Sequence, residues 1–324
     1  MEDESRQKKS NFHLAGIVPV AGLSLDFNMP WHDTLMPVAS NYLAVERAVY
    51  ECAIAGCETI WLVCHKETTP LIRRRLGDWI YDPTINWRTK HHFVYNPSAY
   101  YKEIPIYYIP IHPRDRRVRD GLVWSIVYGY KRAYHISRMF SRWAVPSKYY
   151  VSFPYGVYQT HNLQNIRPIV SSRQSVFLKS PEGKTAKDGE YLGFSFSTWE
   201  YSRYRQEFLK NENRLWKPGA EWKDGKFSGE KYPPDERYTG KYVDLKTFLS
   251  PAIVNETNSF EIPWYYNISS WNQYCRYLGS KEALKIRRPS TLKYHTFNPI
   301  GEDVEDEIKE DLEKEFNDGL NSDE

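Results

Sequence analysis

The sequence contains little cysteine, and its cysteines lack the spacing of a metal site. The 324 residues include four, Cys52, Cys57, Cys64 and Cys275, with no C-x-x-C pair and no Cys/His ligand spacing among them. Three of the four fall among apolar residues of predicted helices or strands, where free cysteine is usually buried. We therefore expect reduced cysteines in the core rather than metal ligands.

Long hydrophobic runs are also missing. No apolar run approaches the roughly 20 residues that a membrane-crossing helix needs, and the opening residues MEDESRQKKS lack the apolar stretch of a signal peptide. An apolar content of 41% in a chain of this length is enough for one large α/β domain or two small ones. The sequence thus predicts a globular protein of the cytoplasm, with no membrane contact.

A third deficit concerns positive charge near the N-terminus, where no lysine or arginine lies between His13 and Arg47. Residues 16–38 (GIVPVAGLSLDFNMPWHDTLMPV) begin as an apolar run that stops at Ala21-Gly22, as in a nucleotide-binding α/β protein. The polar loop that follows offers Asp26 and Asp33 instead of a cation. These two carboxylates either serve turns and helix caps or gather a metal together with His32.

The remaining charge is divided between a basic body and an acidic end. Residues 302–324 contain 12 acidic and 2 basic side chains, so the overall net charge of +3 leaves +13 on residues 1–301. The body carries arginine runs, which either form a solvated face or attract phosphates or nucleic acid. Four arginines precede a helix predicted to start at Asp120, and they either meet an anion at its N-terminus or remain solvated: Arg114, Arg116, Arg117 and Arg119.

Strand and helix patterns alternate through the first half of the chain. Residues 16–21 and 58–64 are apolar runs of strand length, and Ser40 to Ala55 has the periodicity of an amphipathic helix that ends at Gly56. Such an order implies a parallel sheet with right-handed crossovers and ligands beyond the carboxyl ends of its strands. The other predicted elements are a helix at 68–77, a strand at 104–111, a helix at 120–140, a strand at 148–153, a hairpin at 175–196 and a strand and helix at 260–280.

The fold class predicted from this order is α/β, with a Rossmann-like, doubly wound, mostly parallel sheet and a C-terminal α+β extension. The sequence divides into a polar N-terminal segment (1–13), an α/β core (14–198), an irregular aromatic and basic excursion (199–259), a return to the core (260–301) and an acidic tail (302–324). Residues 199–245 show little periodicity, so we expect them to be irregular.

Several motifs, in this order, resemble the sugar-phosphate nucleotidyltransferases, which join a nucleoside triphosphate to a sugar 1-phosphate. The family begins with a strand, a G-G-x-G-T-R-L-x-P loop, a P-K and an L-L-P-I element before its first helix. The matching segments here are residues 16–38, IAGCETIWLVC (54–64), RRRLGDW (73–79), DGLVWSIVYGYKRA (120–133), YYVSFPYG (149–156) and YYNISSWNQYCRYL (265–278). The chain is also similar to uncharacterised proteins of tailed phages of marine cyanobacteria, which implies a host cytoplasm or a virion as its location.

The resemblance implies a nucleotide-diphospho-sugar transferase type of fold but not an intact active site. The loop arginine of the family falls near Asp26 and its lysine near Asp33. One metal-binding aspartate falls at Pro154 or Tyr155, and the other becomes Asn267. The family reads base and ribose largely through backbone groups, and the matching positions here are Val20, Ala21, Gly22 and Gly121. Two of these are glycines, which either approach a base or only make a turn and begin a helix.

Three functions follow as hypotheses. The first is a nucleotidyltransferase-like protein, a degenerate member of that family, that binds or acts on a nucleotide or nucleotide-sugar; its Mg²⁺ would lack the expected aspartates, so we expect catalysis to be impaired or absent. The second is a non-catalytic structural or interaction protein, such as a phage virion or assembly component, that contacts a protein partner or its own copies through residues 199–259. The third, which we favour least, is a binder of anions or nucleic acid.

Overall fold

The computed structural model describes residues 12–22, 29, 31–84, 102–160, 163–172, 174–212, 215–217, 219–223, 225–289 and 292. Asp26 and the acidic tail at 302–324 lie outside these residues. The N-terminal segment 1–13 is described only at its last two positions.

An eight-stranded mixed sheet organises the described chain. Its strand order is β13-β9-β10-β7-β1-β4-β6-β5, and the central pairs β7-β1, β1-β4 and β4-β6 are parallel. The antiparallel pairs are β10-β7, β10-β9 and β5-β6, while β13 runs parallel to β9. The strands of this sheet are β1 (Leu14–Pro19), β4 (Thr59–Cys64), β5 (Trp79–Tyr81), β6 (Glu103–Pro110), β7 (Lys148–Val151), β9 (Phe177–Lys179), β10 (Phe194–Ser197) and β13 (Ser259–Glu261).

Three two-stranded sheets and a set of helices complete the described fold. The small sheets pair β2 (Pro37–Ala39) with β3 (Tyr42–Leu43), β8 (Gly156–Val157) with β14 (Tyr266–Asn267), and β11 (Glu221–Lys223) with β12 (Lys226–Ser228). The α-helices are α1 (Ala44–Ala55), α2 (Thr69–Leu76), α3 (Pro113–Arg119), α4 (Leu122–Phe140), α5 (Leu163–Val170), α6 (Thr198–Asn211), α7 (Leu245–Phe248) and α8 (Trp271–Leu278).

Two hydrophobic cores cover the two faces of the sheet. Alternate side chains of β1 divide between them, because successive residues of a strand point to opposite faces: Leu14 and Val18 join one core, and Ala15 and Ile17 join the other. Helices α1 and α2 pack on the first face. Helices α4, α6 and α7 pack on the second. The predicted α/β class, with its doubly wound and mostly parallel sheet, is confirmed.

Two helix boundaries differ from the prediction. Helix α1 begins at Ala44 rather than Ser40, because residues 37–43 form the β2-β3 hairpin, with Asn41 in the left-handed region at φ 56°. The helix predicted from Asp120 begins instead at Leu122, with Gly121 as its N-cap and no side-chain cap. Asp120 follows α3 as its C-cap residue and bonds His65, so it does not cap the long helix.

The prediction that residues 199–245 are irregular is wrong at their start. Helix α6 covers Thr198–Asn211, opened by a capping box between Ser197 and Glu200. Its buried side chains are aromatic, Tyr201, Tyr204 and Phe208. Tyrosine carries a polar hydroxyl, so a buried helix face made largely of tyrosine does not give a clear apolar periodicity. The sequence pattern therefore did not reveal this helix.

The cysteine prediction holds for three residues and fails for one. Cys52, Cys57 and Cys64 are free and buried, whereas Cys275 is exposed on α8. Among the described residues, no helix is both long enough and apolar enough to cross a membrane.

Close packing of α4 against the sheet generates a stability prediction at Gly129. A Cβ at this helical position would lie 2.9 Å from Cγ2 of Ile17 and 3.0 Å from Cγ2 of Val63, both β-branched side chains of buried strands. Alanine in place of glycine inside a helix normally stabilises by about 1 kcal/mol. Here we expect Gly129→Ala to lower the free energy of unfolding by about 1–3 kcal/mol, because the overpacked core must shift.

Urea unfolding measures this change. The matched control is Lys131→Ala on the exposed side of the same helix, which should change stability by less than about 0.5 kcal/mol. A Gly129→Ala protein that is more stable than the parent would show that α4 does not press on the sheet in this way.

Candidate functional site

A crevice lies at the ends of two neighbouring strands, β4 and β6, after which the chain continues on opposite faces of the sheet. After β4 the chain enters α2 on the first face, and after β6 it runs through α3 into α4 on the second face. In open α/β sheets ligands bind beyond the carboxyl ends of the strands. A cavity of about 350 Å³ lies there, lined by His65, Lys66, Glu67, Ile111, Pro113, Arg116 and Arg117. We call it the switch-point crevice.

His65 and Asp120 form a polar pair at the inner wall of the crevice. His65 directly follows β4, and its Nε2 lies 2.9 Å from Oδ1 of Asp120, the residue between α3 and α4. Each side chain is only 11% exposed. The pair therefore ties the end of β4 to the start of α4 and leaves a shielded imidazole beside the cavity.

His32 extends this group from the first loop. Its ring meets His65 edge-on, with 6.3 Å between ring centroids. Burial, reinforced by the neighbouring His65, lowers the pKa of His32 to about 4, although Asp120 opposes the shift. Nδ1 of His32 accepts the backbone N–H of Thr34 at 3.3 Å, so the neutral ring carries its proton on Nε2.

The residues predicted to receive a nucleobase lie together, one strand away from the crevice. Val20 and Ala21 donate their backbone N–H groups to the carbonyl of Val63, which holds the end of β1 against β4. A Cβ on Gly22 would lie 3.3 Å from the backbone N of Leu122, so Gly22 lies against the start of α4. Both glycine positions thus meet at one edge of the sheet.

Gly121 is in contact with protein backbone rather than open space. A Cβ there would lie 2.9 Å from the carbonyl oxygen of Lys241. Nearby, Thr239 and Gly240 bond the carbonyl of Val118, so this segment covers the junction of α3 and α4. Close backbone packing alone explains a glycine at 121, and a base contact at 121 stays a prediction.

The four predicted anion-binding arginines belong to a helix of their own. They precede α4 as expected, but they form α3, a separate helix that was not predicted and that begins after His112 at Pro113; anion binding by them stays a prediction. Arg116 and Arg117 line the crevice, with Arg116 2.5 Å from Glu67. Arg119 is held by Glu212 at 2.6 Å, and Arg114 is exposed.

The acidic positions of the first loop are only partly described. Asp33 is buried as the first residue of a short 3-10 helix whose N-cap is His32, and its charge helps raise the pKa of the buried Tyr155, after burial itself. The metal-binding trio with Asp26 and His32 stays a prediction, because Asp26 lies outside the described residues.

Pairing of β8 with β14 brings together the two positions at which the resemblance implied metal-binding aspartates. Asn267 is the register partner of Gly156, and the N–H of Ile268 donates to the carbonyl of Tyr155 at 2.8 Å. The Asn267 amide oxygen accepts the N–H of Ser269, so it closes a local turn. Magnesium prefers charged oxygen ligands, and Pro154, Tyr155 and an engaged amide do not supply them. In the described part of the chain, no three His, Cys, Asp or Glu side chains are grouped to hold a metal.

Sequence analysis missed His65 and Lys66, which line the crevice. The signal available was their position directly after a predicted strand, at the edge where ligands bind in this class of fold. No spacing motif marks them. The contact between His65 and Asp120 joins residues 55 positions apart, so it depends on the folded crossover.

Comparisons with known proteins give fold similarities. No family model and no curated protein matches the chain. A Bacillus anthracis protein assigned as a glucose-1-phosphate thymidylyltransferase is 10% identical over 86% of this chain and 98% of its own, with a TM-score of 0.49. A UTP-bound UGPase of Acinetobacter baumannii is 12% identical, with coverages of 86% and 95% and a TM-score of 0.46.

A UDP-glucose pyrophosphorylase complexed with UDP-glucose is also similar, at 11% identity over 82% of this chain and 97% of its own, with a TM-score of 0.45. At such low sequence identities, the similarity concerns only the path of the chain through the fold. Function has to follow from the residues of the crevice themselves.

The lowered pKa of His32 predicts a pH-dependent stability. The folded pKa, about 4, lies below the ordinary value of 6.5, so the unfolded chain binds the extra proton first as pH falls. The contribution of His32 to the free energy of unfolding therefore decreases as the pH falls from about 6.5 to about 4. At pH 5 the loss already amounts to about 2 kcal/mol. We expect His32→Asn, which keeps a capping oxygen, to remove this part of the slope in urea unfolding at pH 7 and pH 5.

His112→Asn is the matched control for His32→Asn. His112 caps α3 through Nδ1 in the same way but is exposed, so its replacement should leave the slope as it is. Equal slopes in the parent and the His32→Asn protein would contradict a buried, neutral His32.

Proposed function

We propose that the protein binds a nucleotide or nucleotide-sugar in the switch-point crevice and does not transfer a nucleotidyl group. The observation that carries the proposal is the crevice itself: a cavity of about 350 Å³ at the carboxyl edge, lined on one side by His65 and Lys66 and on the other by Arg117. Its size suits a small ligand.

Uncommitted positive charge supports a phosphate-bearing ligand. Within the described ranges neither Lys66 nor Arg117 makes an ion pair, whereas Arg116 is partly neutralised by Glu67. Lysine and arginine flanking a cavity attract phosphate oxygens, and arginine can bind them with two parallel hydrogen bonds. The shielded His65, fixed by Asp120, adds a hydrogen-bonding ring at the inner wall.

Binding without transfer follows from the charges around the first loop. Nucleotidyl transfer depends on positive charge placed around the triphosphate as the acceptor attacks. The described part of that loop offers Asp33 and a neutral His32 instead, and Asn267 is engaged by Ser269. We therefore infer that the protein binds its ligand without catalysing nucleotidyl transfer.

The experiment is isothermal titration of the full chain with nucleoside triphosphates and nucleotide-sugars, with Mg²⁺ and with EDTA. We expect binding that does not require Mg²⁺ and that weakens about tenfold or more in a Lys66→Gln/Arg117→Gln double variant, because charge-assisted hydrogen bonds are lost. Arg114→Gln is the matched control: Arg114 lies in the same helix and is exposed but does not line the crevice.

Two results would overturn the proposal. One is an affinity in the double variant equal to that of the Arg114→Gln control, which would move binding elsewhere. The other is pyrophosphate release when a triphosphate, a sugar 1-phosphate and Mg²⁺ are supplied, which would show that the protein does transfer a nucleotidyl group.

Exposed aromatic side chains favour a second candidate function, contact with a protein partner or another copy of the chain. Segment 199–259 presents Trp199, Trp222, Tyr238 and Tyr242, each at least 60% exposed. Tyrosine and tryptophan are typical anchors of protein interfaces. Light scattering and copurification, carried out separately on the parent and on a Trp222→Ser/Tyr242→Ser variant, test this role. If the two proteins associate equally with partners or with their own copies, these residues do not form the interface.

A further inference from the structure

A second cavity lies on the α1 side of the sheet and shares no lining residue with the switch-point crevice. Its volume is about 380 Å³. Basic side chains enter it from α1 and from the chain segment after α8, and two neutral polar residues follow β8 at its rim. These lining residues are Arg47, Gln159, Thr160, Lys285, Arg287 and Arg288.

Arg47 is the buried group of this cavity, with 1% of its surface exposed. Its Nη2 donates to the carbonyl of Phe153 at 2.6 Å and lies 3.0 Å from Oε2 of Glu51. Its Nε and Nη1 have no hydrogen-bond partner within the described part of the chain. The ring of Tyr158 covers the guanidinium, with Cζ of Arg47 4.7 Å from the ring centroid, so Nε and Nη1 are the donors that remain for an acceptor.

The charged side chains that line the cavity are all basic. Its described lining contains no carboxylate. Arg288 is held by the buried carboxylate of Glu46, 3.0 Å away. Lys285 and Arg287 are exposed and, in the described ranges, make no ion pair. The cavity therefore has a buried guanidinium at its inner end and two uncommitted cations at its mouth.

We propose that this cavity binds an oxyanion, a phosphate or carboxylate group, that bonds Arg47 and is held at the mouth by Lys285 and Arg287. The planar guanidinium offers donors in a fixed geometry that matches such oxygens. Gln159 and Thr160 add neutral polar groups, and three tyrosines and a tryptophan also line the cavity. This site goes beyond the proposed function, since it uses none of the crevice residues.

Two sources could supply the oxyanion. One is a free phosphate-bearing molecule. The other is a carboxylate of the chain's own residues 302–324, which carry 12 acidic side chains and follow Pro289, a lining residue, along the sequence. The shared chemistry is a compact anion bound by arginine, and the experiment separates the sources.

Titration of the full chain with inorganic phosphate at constant ionic strength tests the site. All proteins carry Lys66→Gln and Arg117→Gln, so phosphate binding in the crevice does not contribute. We expect saturable binding that weakens about tenfold or more in Lys285→Gln/Arg287→Gln. Lys281→Gln, an exposed lysine of the same segment that does not line the cavity, should bind as the parent does. Arg47→Lys should also weaken binding, and the surface double variant covers the case in which Arg47→Lys does not fold.

A further full-length variant, with the acidic side chains of residues 302–311 replaced by their amides, identifies the source. Tighter phosphate binding in this variant means that the chain's own carboxylates compete for the site, and unchanged binding means that a free anion is its occupant. The proposal is overturned if neither the parent nor the amide variant binds phosphate saturably, or if the Lys285→Gln/Arg287→Gln protein binds as tightly as Lys281→Gln.

Discussion

The buried carboxylate of Glu51 is the constraint around which the first face of the sheet is arranged. It is fully buried and pairs with Arg47, one turn earlier in α1. It also accepts hydrogen bonds from Tyr150 at 2.7 Å, from Ser152 at 2.6 Å and from Tyr158. An unpaired buried carboxylate is very costly, so α1, the end of β7 and the chain after β8 must meet at this point. Burial alone would lower the pKa of Arg47, but Glu51 together with Tyr158 and Tyr42 more than offsets that effect and leaves the pKa raised.

A second buried carboxylate on the same helix extends the arrangement to distant parts of the chain. Glu46 accepts the N–H of Leu43 at 2.8 Å and pairs with Arg75 of α2 and with Arg288 beyond α8. The C-terminal part of the body is therefore held against the first turn of α1. Glu51 and Glu46 each pair with one cation that lines the second cavity, Arg47 and Arg288, while Lys285 and Arg287 make no ion pair in the described part of the chain. The same two acids thus fix the fold locally and leave a basic cavity beside it.

Hydrophobic pattern predicted the central architecture but not the polar contacts that make the sites. Apolar runs such as residues 58–64 marked buried strands correctly, because burial on both faces needs continuous apolar sequence. Helix α6 was missed, since tyrosines supply its buried face. Helix α3 was also missed, because its charged residues show no apolar periodicity and none of them is buried. Contacts between polar side chains far apart in sequence depend on strand register, which composition and periodicity do not encode.

The proposal of binding without transfer rests on the distribution of charge at the carboxyl edge. Positive charge lies on the β4–β6 side, where Lys66 and Arg117 line the crevice, while the described part of the first loop contributes Asp33 and a neutral His32. A carboxylate about 4 Å from a phosphate repels it by about 4 kcal/mol at intermediate dielectric, as strongly as a cation there would attract it. A triphosphate bridging the two sides would meet attraction at one end and repulsion at the other. A ligand whose phosphates stay on the β4–β6 side avoids that conflict, which is the arrangement that the proposed binding without transfer requires.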